Sequence, residues 1–123
     1  MNSNFAKILR VILGLGLIIF GLNKFFVFIP IPELPQDAAS FMSSLKATGY
    51  VLPVLGFFEI LIGLMLIINK AVAFALLLLA PISVNILLFH LFLDLPGIVG
   101  AIVIAIINII LIYKHWKVYR PMF

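Results

Sequence analysis

The sequence predicts an all-α protein: a four-helix transmembrane bundle with a short amphipathic interfacial helix between helices one and two. Three observations predict it. Apolar residues make up 66% of the chain and charged residues 10%, a balance that a small water-soluble domain could not bury. The apolar residues fall into four runs, each close to the roughly 20 residues a bilayer requires. Turn residues and charges separate the runs and are scarce inside them. At 123 residues the chain has room for one domain, read as 1–123.

The first span is read at about 5–28, ending where Pro30, Pro32 and Pro35 bias their predecessors away from helix. Lys7 and Arg10 ahead of an apolar run resemble a signal peptide. No small-residue cleavage motif follows, so the segment is expected to be retained. Over about 36–48, Ala38, Phe41, Met42 and Leu45 recur at helical spacing among Asp37, Ser40, Ser43, Ser44 and Lys46, the pattern of a helix lying in the interface. Gly49 is its expected stop. The second span, about 50–68, meets the third, about 71–93, across Asn69 and Lys70, which makes them an antiparallel hairpin. Pro81 interrupts the third span, a fault that neighbouring helices repair inside membranes. Asp94-Leu95-Pro96-Gly97 forms the next turn, and the fourth span covers about 98–113.

Charge sets the orientation. Lys7, Arg10, Lys70, Lys114, Lys117 and Arg120 fall on one side of this topology, and Glu33, Asp37 and Asp94 on the other with Lys24 and Lys46. The positive-inside rule then places both termini in the cytoplasm, with Tyr113, Trp116 and Tyr119 as an inner aromatic belt and Arg10 snorkelling to the inner headgroups. Eight Lys/Arg against four Asp/Glu is read as a topology signal facing anionic lipid, not as a nucleic-acid surface.

Few polar residues remain inside the spans. On a helical wheel Arg10, Gly14, Leu17, Gly21 and Lys24 lie within about 40° of one line. Gly49, Gly56, Glu59, Gly63 and Lys70 form a comparable stripe on the second span. Glycines at seven-residue spacing let backbones approach, so the two stripes, with Gly14 and Gly21 on one and Gly56 and Gly63 on the other, are expected to face each other. Antiparallel helices that start level at the outer face put Glu59 opposite about Ile19, roughly 8 Å along the axis from Lys24 and roughly 14 Å from Arg10, which favours Lys24 as its partner. A lone carboxylate at this depth would take up a proton or cost several kcal/mol. Glu59 is therefore either a structural ion pair or a proton- or substrate-coupled group. His90, sharing a face with Ser83 and Asp94, can shuttle protons, hydrogen-bond a quinone carbonyl, or bond a neighbouring helix. Asn85 and Asn108 read as interhelical hydrogen bonds, and Gly97, Ala101, Ala105 and Asn108 as a packing stripe. Lys24, Glu59, Asn85 and His90 are the candidate intramembrane cluster.

Several chemistries are excluded. There is no cysteine, hence no disulfide, thiolate catalysis or Cys-ligated cluster within the chain. His115 lies at the opposite face from His90, which argues against a metal site. No phosphate-binding loop, dinucleotide fingerprint, HExxH or GxSxG is present.

Arg10-Val11-Ile12-Leu13-Gly14, Gly21-Leu22-Asn23-Lys24-Phe25, Phe41-Met42, Thr48-Gly49-Tyr50, Phe58-Glu59-Ile60-Leu61-Ile62-Gly63 and Phe89-His90 together resemble the DoxX family of small membrane proteins, over Lys7 to about Lys114. The resemblance implies a four-helix bundle in the bacterial inner membrane. It also implies links to quinone-connected sulfur oxidation and to redox complexes with soluble partners, and in distant relatives to chaperone or cargo roles. Relatives that handle thiols use cysteines, which this chain lacks. The expected role is a membrane subunit or scaffold, more a non-enzyme than an enzyme on its own. The alternatives are a quinone-linked oxidoreductase subunit, with quinone as cofactor, and a small proton-coupled transporter. Expected partners are the bilayer, redox subunits and further copies of the chain, with no nucleic acid.

Overall fold

The computed structural model describes residues 3–28 and 33–123; Pro30 and Pro32 lie outside them. The described residues form helices with no strand. In chain order these are α1 (Ser3–Phe26), α2 (Gln36–Ala47), α3 (Val51–Ile68), α4 (Val72–Phe92), α5 (Ile98–Lys114) and the single turn α6 (Trp116–Tyr119). Short 3₁₀ turns at Leu95–Gly97 and Arg120–Met122 complete them. The segments carrying α1, α3, α4 and α5 are long and apolar enough to cross a membrane. Their outward faces carry Phe57, Phe74, Val99 and Ile109, all exposed, a surface suited to acyl chains and not to water. The protein is a multi-pass membrane protein.

Local chemistry sets the helix ends. Thr48 Oγ1 donates to the Leu45 carbonyl at 2.6 Å, closing α2, and accepts from Val51 N at 3.2 Å, opening α3. Between them Gly49 takes φ +79°, which glycine adopts without a side-chain clash. Asn69 ends α3 in the left-handed region at φ 60°, a conformation asparagine tolerates better than most residues. α4 runs unbroken through Pro81. α1 ends at Phe26, two residues before the sequence reading, where Val27 leaves the helix at φ 42°.

α1 packs closely along α3, and α4 along α5; α3 touches α4 and α1 touches α5, so the four long helices form a ring. Its core is asymmetric. Ala6, Leu13 and Leu17 of α1 meet Ile62 and Leu66 of α3, Val72, Ala75, Leu76 and Leu79 of α4, and Ile107 and Leu111 of α5. Most of these belong to the end of the bundle that holds the start of α1, the α3–α4 turn and the end of α5. At that end Tyr119 folds back and its hydroxyl donates to the Ala73 carbonyl at 2.5 Å. This corrects the aromatic-belt reading: Tyr113 is 79% exposed, but Tyr119 only 4%, because its hydroxyl finds an acceptor inside the fold. α2 covers the other end, with Ala38 buried and Phe41 against Phe89 at 5.7 Å between ring centroids.

Candidate functional site

Glycine sets the register of α1 on α3. A Cβ built on Gly63 would sit 2.6 Å from the Gly14 carbonyl oxygen, and one on Gly14 would sit 2.9 Å from the Gly63 oxygen. Seven residues along, Gly21 and Gly56 repeat the reciprocal contact at 2.8 and 3.0 Å. These four glycines are consumed within the chain, so a contact between copies would have to use another face.

In this register Glu59 lies level with Ile18, and Lys24 about 9 Å further along the axis. Side chains lean toward the N-terminus of their own helix. On antiparallel helices that leans Lys24 inward and Glu59 outward, so the two converge. Lys24 Nζ sits 2.6 Å from Glu59 Oε1. Glu59 is only 2% exposed. Gly56 makes the passage: its missing Cβ would lie 3.2 Å from Lys24 Cβ. Removing either charge would strand the other in a medium that solvates it poorly.

Arg10 is elsewhere. Its Nη1 donates to the carbonyl of Leu66 and, at 3.4 Å, to that of Ile67. The sequence reading sends this side chain to the inner headgroups; in the structure its Nη1 caps the last turn of α3. The final carbonyls of a helix lack intrahelical donors and carry the negative end of the dipole, which a guanidinium answers.

His90 is held by Asp94 one turn on. Its Nδ1 lies 3.2 Å from Asp94 Oδ2 and 3.2 Å from the Asp94 carbonyl. Both are acceptors, so Nδ1 carries the hydrogen and Nε2 is the nitrogen left to meet a ligand. Gly97 makes room for the pair: its Cβ would sit 2.7 Å from Asp94 Oδ2. Ser83 is not part of this arrangement. Its hydroxyl donates to Asn108 Oδ1 at 3.1 Å, and Asn108 Nδ2 donates to the Leu76 carbonyl at 3.2 Å, tying α5 to α4 beside Pro81. The Asn85 amide donates to the Pro81 carbonyl at 2.8 Å, within its own helix. Among the described residues Asn85 makes no bond to a neighbouring helix; its amide turns back along α4 instead.

Between α1–α3 and α4–α5 and beneath α2 lies a cleft of about 1440 Å³ that borders the core at Leu13, Leu17 and Ile107. Leu17, Phe20, Met42, Ile82, Phe89 and Ile104 are among its apolar walls. Lys24, Glu59, Asn85 and His90 all line it, joined by Asn23 and Lys46. Asn23 and Lys46 escaped the sequence reading. The signal for Asn23 was its place beside Lys24; Lys46 needed the position of α2. Among the described residues no group of three or more His, Asp or Glu could hold a metal ion.

A family model described as DoxX matches residues 5–91. No curated protein and no solved structure matches the chain.

Proposed function

We propose a function on the premise that the chain belongs to the DoxX family: the cleft holds a membrane-soluble ligand of the quinone class, and the protein is the membrane subunit that presents it to a partner. The observation that carries this reading is the lining of the cleft. Ligand sites are concave and largely apolar, with a few polar groups that orient the ligand. Here about 1440 Å³ of mostly apolar space has Lys24 and Glu59 on one wall and His90 on another. Such an arrangement suits a quinone. Its ring and tail take the apolar space, its carbonyl oxygen accepts from the Lys24 ammonium, and a reduced hydroxyl donates to His90 Nε2.

We place the protein in a bacterial inner membrane with both termini in the cytoplasm. The gathering of Lys7, Arg10, Lys70, Lys114, Lys117 and Arg120 toward the terminal end supports this side. On that reading α2 lies in the opposite interface and the cleft opens into the outer leaflet. The chain has no cysteine, so single cysteines placed at Asp37 and Lys117 report the two sides cleanly.

The ligand is tested by gentle solubilisation, solvent extraction and mass spectrometry. Wild-type protein is expected to retain quinone, and folded His90→Ala to lose most of it. Extracts containing phospholipid alone, or equal quinone in both proteins, would remove the proposal.

A further inference from the structure

At the opposite end from the cleft, the start of α1, the α3–α4 turn and the end of α5 enclose a second, smaller hollow of about 340 Å³. Lys7 and Arg10 line it from α1, Lys114 and His115 from the end of α5, and Asn69 from the turn. Among the described residues no carboxylate lines it, and neither of the two ion pairs they form involves its residues. The chain's acidic residues, Glu33, Asp37, Glu59 and Asp94, all belong to the cleft half or the α2 end.

A basic end is ordinary topology; this hollow is more than that. Arg10 is pinned by the carbonyls that end α3. That bond covers the dipole end that would repel an anion and fixes the position of the cation. Nη1 accounts for part of a guanidinium that has five N–H donors in all. His115 is oriented too: its Nδ1 donates to the Leu111 carbonyl at 2.9 Å. The hollow therefore has two oriented nitrogen groups, two exposed lysines, the side-chain amides of Asn4 and Asn69, and the positive end of the α1 dipole beside the negative end of α5. That is the donor set of a phosphate site.

We propose that this hollow binds a phosphate group, either the headgroup of an anionic phospholipid or a free phosphate anion. It is independent of the cleft and lies on the other side of the core. A headgroup here would clamp α1 to the α3–α4 turn and α5 at the end where the bundle is closed.

The test compares wild type with Lys7→Gln/Lys114→Gln and with Lys7→Arg/Lys114→Arg. Both lysines are exposed, so all three proteins are expected to fold; matching melting temperatures without added anion check this. Native mass spectrometry of protein incubated with phosphatidylglycerol or phosphatidylcholine reads lipid retention, and thermal unfolding with and without inorganic phosphate reads the free anion. Wild type and the arginine variant should retain phosphatidylglycerol over phosphatidylcholine. The glutamine variant should lose affinity by roughly fivefold per lysine. Stabilisation by inorganic phosphate to the same degree assigns the site to the free anion; retention confined to the lipid assigns it to the headgroup. Equal retention of the two lipids with no phosphate effect, or a preference unchanged in the glutamine variant, overturns the proposal.

Discussion

Gly63 and Gly14 meet backbone to backbone, with 2.6 Å between the site of the missing Gly63 Cβ and the Gly14 carbonyl oxygen. No side chain fits there, and neither partner is the movable end of a flexible group. The contact fixes how far α3 slides along α1, and through that slide it decides which cation reaches Glu59.

Gly63→Ala should part the two helices and lower stability by about 1–3 kcal/mol. Gly16 and Gly100 are controls, since a Cβ at either meets nothing within 4 Å. Alanine at these two should leave the unfolding midpoint in mixed micelles nearly unchanged, and alanine at Gly63 should lower it.

Arg10→Met removes a charged donor from the α3 carbonyls, with an expected cost of about 1.5–3 kcal/mol. Arg10→Lys should recover only part of it, because a compact ammonium does not reproduce the planar fork. Hydrogen exchange should quicken in the last turn of α3 and leave Val51 to Phe57 unaffected.

The spans were legible in the sequence because a bilayer imposes length and apolarity on each segment by itself. The register of α1 on α3 is likewise written locally, in two glycine pairs at equal spacing. What depended on a distant backbone was not legible. The demand that Arg10 meets comes from carbonyls 56 residues away, and Tyr119 turned inward for a carbonyl of α4 that composition does not reveal. The cleft itself depends on how far α4–α5 stands off from α1–α3, and no single helix encodes that distance. Asn85 went the other way: its amide is satisfied four residues back in its own helix, by the Pro81 carbonyl.

Tyr119 lies beyond the spanning segments, and burial raises its phenol above the ordinary value of 10.0. A raised folded-state value means its contribution is fully present below about pH 10 and is lost as pH climbs through the folded value. The stability difference between wild type and Tyr119→Phe should therefore be constant from pH 7 to 9 and shift against wild type above about pH 10. The same substitution should cost about 0.5–1.5 kcal/mol at neutral pH through the lost bond to Ala73.

The most direct measurement is a double-mutant cycle on Lys24 and Glu59, read as unfolding free energy in mixed micelles. Glu59→Gln strands the ammonium and should cost about 3 kcal/mol. Adding Lys24→Met removes the stranded charge and should return stability to within about 1 kcal/mol of wild type. A double variant no more stable than Glu59→Gln alone would contradict the account, because the two side chains would then not depend on each other.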